Sequence, residues 1–154
     1  MRAEVLLDAL SQVTDTKNKF QGLPLGARAV QIADGNTSSY FLKTFGRAER
    51  LSVCSCEVKV EPNLGQALHL LNGDATGNRL KQGNVVGKML EAKMTPEQII
   101  DSLYIRAFSR RPTETEKNQL LGQVNAETEA AQQREVLEDI FWALMNSKEF
   151  MFNH

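Results

Sequence analysis

Cysteine and histidine are nearly absent from this chain. Its 154 residues hold two cysteines, Cys54 and Cys56, and two histidines, His69 and His154. Two cysteines cannot make the disulfide framework of a small secreted domain. A chain of this length needs none, because it buries about two-thirds of the surface its unfolded form exposes. An excess of one charge is missing as well: 18 basic residues face 19 acidic ones, for a net charge of −1. The longest basic run is Arg110-Arg111, so no basic stripe marks a nucleic-acid binder. No stretch approaches the roughly 18 apolar residues of a membrane span. No signal-peptide pattern precedes the first helical signal, which begins at Arg2. Such a start is expected of a small cytosolic protein or of a domain cut from a longer chain. There is no Cys-x-x-Cys-His haem attachment sequence, no phosphate loop and no Rossmann fingerprint. No Ser-His-Asp set is supported by spacing, and among 19 acids carboxylate pairs are always available, so they carry no signal.

What remains is the composition of an ordinary soluble domain, 42% hydrophobic and 24% charged. The length predicts a single domain over residues 1–154. Residues 2–13 place Val5, Leu6, Ala9, Leu10 and Val13 on one face of a helix. A polar loop and the breakers Gly22, Pro24, Gly26 and Gly35 follow. Arg28 to Ile32 reads as a short strand, with Arg50 to Val60 as its extended partner. Between them, "NTSSYFLKTFG" reads as a brief helix begun by Asn36, Thr37 or Ser38 and ended by Gly46. Leu64, Ala67, Leu68 and Leu71 have helical spacing up to a glycine cap at Gly73. Short helices are then expected from Asp74 to about Lys81 and around Val85, Val86, Met89 and Leu90.

The last 60 or so residues are the most regular. Thr95-Pro96-Glu97-Gln98 combines an N-cap, proline at the first helical position and a capping-box glutamine. The helix it opens carries Ile99, Ile100, Leu103, Tyr104, Ala107 and Phe108 inward and must stop before Pro112. Thr113 and Glu116 repeat the start signal for a helix with Leu120, Leu121 and Val124. Val136, Leu137, Ile140, Phe141, Leu144 and Met145 mark a third helix to about Lys148. The apolar tail Phe150-Met151-Phe152 is then expected to fold back onto the first half of the chain, near residues 24–31 or 54–57. The predicted fold class is mainly α, a bundle-like set of helices behind a loop-rich first half, with one short two-stranded β element as an option.

Several blocks together resemble one family. They are "LLDAL", "PLGARAVQ", "SSYFLKTFGRAER", "CSCE", "QALHLLNGD", "SRRPTETE" and the closing "NSKEFMFNH". The chain is identified on these as resembling the planctomycete-specific domain of unknown function (PSD-one, DUF fifteen-fifty-three), from about residue 2 to residue 154. The resemblance implies an origin at the C-terminal end of a large exported bacterial protein, periplasmic or extracellular, with a cytochrome-c-type domain upstream. It implies other domains of the same polypeptide as partners, and no established activity. The chain departs from the family pattern at Ala48, where proline is frequent, and at Val58, where arginine is frequent.

Residue chemistry offers one local constellation. Cys54 and Cys56, two apart on extended chain, would point to the same side. They could form a strained disulfide or a redox pair, serve as plain structural thiols, or grip a soft metal such as zinc or copper. His69 is the likeliest third ligand and His154 a candidate fourth, although structural zinc sites space their cysteines by two or more residues. Arg47, Glu49, Arg50 and Glu57 flank the cysteines as a candidate interaction patch, against the plainer reading of a solvated charge cluster. With no catalytic motif, the sequence leans towards a non-catalytic accessory or interaction module without nucleic-acid or membrane partners. The alternative is a metal-binding or redox site at Cys54, Cys56 and His69.

Overall fold

A computed structural model of the chain describes residues 2–33, 39–47 and 76–152. The described residues are mainly helical and contain no strand. The chain divides into two compact units, residues 1–82 and 83–154.

The first unit is built around α1 (Ala3–Val13). Leu6, Leu7, Leu10 and Val13 are buried, while Val5 is 42% exposed. The apolar face is therefore turned from the one expected, with Leu7 replacing Val5. Asp8 and Ser11 are buried on the same helix, which an apolar-only reading of periodicity passes over. The residues expected as a strand instead form a 3-10 turn, Ala29–Gln31. The cause is local. Asp8 accepts the backbone N–H of Ala29 at 2.6 Å and of Val30 at 3.3 Å, and the Gln31 side chain accepts the N–H of Arg28 at 2.8 Å. Those N–H groups face a carboxylate and an amide, so they are satisfied without a strand partner. The extended partner expected at Arg50 to Val60, and the helix expected over residues 62–73, lie outside the described residues.

A short helix, α2 (Tyr40–Thr44), is capped by Ser39 rather than by the three residues before it; the Ser39 hydroxyl accepts from the N–H of Leu42. Phe41 and Phe45, four apart, stack with centroids 4.4 Å apart. Gly46 (φ 75°) closes the helix in the left-handed region that glycine enters without steric cost. The last helix to begin in this unit is α3 (Gly77–Gly83).

The second unit opens with α4 (Val85–Glu91), after Asn84 in the left-handed conformation. Its frame is three helices, α5 (Pro96–Phe108), α6 (Glu114–Ala126) and α7 (Ala130–Met145), each packed against the other two. Both expected capping boxes are present, Thr95 with Gln98 and Thr113 with Glu116. Each satisfies N–H groups that a helix start leaves open. Ile99, Ile100, Leu103, Val124, Leu137, Phe141 and Met145 are fully buried.

The sequence reading ends the last helix near Lys148, but the tail is helical as well. It forms a further helical turn, α8 (Lys148–Phe152), packed on α5 and α7 of its own unit. The Ser147 hydroxyl accepts from the N–H of Phe150 and starts this helix. Phe150 is then only 5% exposed, its apolar surface covered by the neighbouring helices of its unit.

Candidate functional site

α1 ends in a turn that gathers hydroxyls and an amide. The Thr14 hydroxyl donates to the carbonyl of Leu10 at 2.6 Å and meets the Thr16 hydroxyl at 2.9 Å. Asp15 takes a positive φ of 53°, and the N–H of Thr16 returns to the carbonyl of Ser11 at 2.9 Å. The carbonyl of Asn18 is held by the N–H of Gly26 at 2.8 Å. The result is a small shell of acceptors from Ser11, Thr16 and Asn18.

Into this shell α3 delivers Arg79. Its Nη1 donates to the Ser11 hydroxyl at 2.7 Å and the Thr16 hydroxyl at 2.9 Å, and its Nη2 donates to Asn18 Oδ1 at 2.7 Å. All three partners are neutral. Burial pushes the Arg79 pKa down, yet a guanidinium remains a cation at any physiological pH. Arg79 forms one wall of an open cleft of about 340 Å³ that is also lined by Lys17, Asn18, Lys19, Asn78 and Gln82. Among the described residues lining it are three cations and no carboxylate. A second cleft of about 270 Å³ shares Lys17 and Asn18 with it and reaches Asp8 and Arg28. Asp8 is occupied there by the 3-10 turn and by Arg28 at 3.5 Å.

The second unit has a charge cluster of another kind. Arg110 makes paired hydrogen bonds to Glu149 (2.7 and 2.8 Å) and to Glu116 (both 3.0 Å). It also lies 5.4 Å from the ring centroids of both Tyr104 and Phe108. Hydrogen bonding to Glu149, then to Glu116, raises the Arg110 pKa. The same contact with Arg110, with the backbone N–H of Thr113 next, brings the Glu116 carboxyl down to about 2. Here the cation is neutralised by two acids and braced by rings, so the cluster ties the α5–α6 turn to α8.

Of the residues expected from sequence, Arg47 is described. Its guanidinium is turned inward, 5% exposed, within 3.3 Å of Glu4 and 3.3 Å of the carbonyl of Ile32. It joins the end of α2 to α1 and to the 3-10 turn. Cys54, Cys56, His69, His154, Glu49, Arg50 and Glu57 lie outside the described residues. Among the described residues no group of three or more His, Cys, Asp or Glu side chains could hold a metal. Arg79 was not singled out by the sequence. Its partners lie 61 to 68 residues away, so no local motif announces it. The available signal was the density of acceptor side chains between Ser11 and Asn18, interrupted by Val13 and Lys17.

The described residues thus define a helical domain with an open, cationic cleft on its first unit and a braced helical bundle in its second. Residues 1–124 match the family model described as PSD1, protein of unknown function (DUF1553), and the chain belongs to that family. No curated protein and no solved structure matches the chain. No helix among the described residues is long and apolar enough to cross a membrane.

Proposed function

We propose that this chain is a non-catalytic binding module of a large exported bacterial protein that carries a cytochrome-c-type domain, and that it holds a polar ligand for the other domains of that polypeptide. The family resemblance supports the parent and its export. The observation that carries the binding role is the cleft at Arg79, whose wall presents hydrogen-bond donors from Lys17, Lys19, Gln82 and Arg79 itself. Its volume is at the lower end of ligand-binding pockets. The lining side chains suit recognition of a ligand, since ammonium, amide and guanidinium groups fix orientation through hydrogen bonds.

The test compares the parent protein with and without this module. Removal is expected to leave the haem spectrum and the turnover of the remaining domains unchanged, while the concentration of ligand needed for half-saturation rises on the order of tenfold, as a tethered binding module would produce. A collapse of turnover with unchanged half-saturation would overturn the reading and place this chain in the chemistry.

A further inference from the structure

A cation that is partly withdrawn from water is normally matched by an anion, because neutral dipoles replace only part of its lost hydration. Arg110 follows that rule with Glu116 and Glu149. Arg79 does not: its acceptors are two hydroxyls and one amide. A guanidinium has five N–H donors. Three are used in those contacts, and Nε–H and one Nη2 proton have no protein acceptor among the described residues. The contacts fix the plane of the guanidinium and, among the described residues, bring no carboxylate to its charge. Lys17 and Lys19, both exposed, add two more positive charges to the same cleft.

We propose that the cleft formed by Lys17, Lys19 and Arg79 is an oxyanion site. It takes a small ligand through a carboxylate, sulfate or phosphate group, with Arg79 as the fixed donor and the two lysines as mobile ones. The proposal rests on the binding-module reading and names the ligand class for its cleft. Two donors on one guanidinium match two oxygens of such a group, a geometry that arginine provides and lysine does not. Ser11, Thr16 and Asn18 act as positioning residues, since they hold the arginine rather than the ligand. Water can occupy the cleft between ligands and hydrate the unused donors at little cost.

Isothermal titration calorimetry of the whole chain tests this, with sodium sulfate, sodium phosphate and sodium malonate as probes and ionic strength held constant with sodium chloride. At least one probe is expected to bind saturably at one site per chain. Tighter sulfate or phosphate identifies a tetrahedral anion, and tighter malonate a carboxylate. Lys17→Gln combined with Lys19→Gln alters only exposed side chains. It should weaken that binding roughly fivefold or more, as loss of two nearby charges requires, with the circular dichroism spectrum unchanged. Arg79→Lys keeps the charge but not the paired donors and should weaken binding as well. No saturable heat from any of the three probes, or undiminished affinity in the lysine double variant, overturns the proposal. Removing the module from the parent still tests the binding role by itself, so an absent anion site and an absent binding role give different results.

Discussion

Asp8 lies on the buried side of α1, a poor place for a carboxylate unless something reaches it. Ala29, Val30 and Arg28 do. The same helix gives Ser11 to Arg79 one turn further on. These two polar residues, set among leucines, place the 3-10 turn and the cationic cleft on the first unit. Asp8→Ala should destabilise the chain by about 2 kcal/mol, because it leaves two backbone N–H groups of the turn without their charged acceptor. Urea denaturation at neutral pH measures this; a midpoint equal to that of the unaltered chain would show that the turn does not depend on Asp8. Periodicity could not reveal either role. It ranks positions by apolar content, and Asp8 and Ser11 read as the polar edge of the helix until their distant partners are placed. Arg47 could be picked out as a charged residue near the cysteines, but its inward course to Glu4 depends on tertiary packing.

At the level of elements, legibility followed how local the determining interactions are. The starts of α5 and α6 are set within four residues by capping boxes, and both were readable from Thr95-Pro96-Glu97-Gln98 and Thr113-Glu114-Thr115-Glu116. The 3-10 turn and α8 are set by contacts across the chain, and both departed from expectation. Glu116 shows the two kinds of control in one side chain: it caps Thr113 and also binds Arg110. Arg110 holds the Glu116 and Glu149 carboxyls below the ordinary carboxylate value of 4.5. Folding therefore favours their ionised forms, and the stability they contribute is fully present above that value. It is lost as pH falls towards the folded value of Glu116, about 2. Arg110→Gln should cost on the order of 1 kcal/mol at pH 7, a modest figure because all three side chains are about one-third exposed and solvent-screened. It should also flatten the loss of stability between pH 4.5 and 2. Thermal melts across that range distinguish the outcomes: parallel curves for the two proteins would mean that the cluster does not couple α8 to the α5–α6 turn.

For the whole molecule, each of the two units has its own polar device. In the second, opposite charges close on one another and hold helices together. In the first, Arg79 is surrounded by neutral acceptors and joined by Lys17 and Lys19, so positive charge is left available in a cleft. A sequence with net charge −1 gives no hint of such a local excess, because Arg79 is distant along the chain from Lys17 and Lys19 and a whole-chain total averages the three away. This cleft is where the proposed module binds. The most direct test places Lys17→Gln and Lys19→Gln in the proposed full-length parent and measures ligand half-saturation beside the wild type and the parent lacking the module. The double variant is expected to reproduce most of the weakening caused by removing the module, with turnover by the other domains unchanged. Wild-type half-saturation in the double variant, alongside a clear loss on removal of the module, would contradict it and place the binding surface elsewhere on the chain.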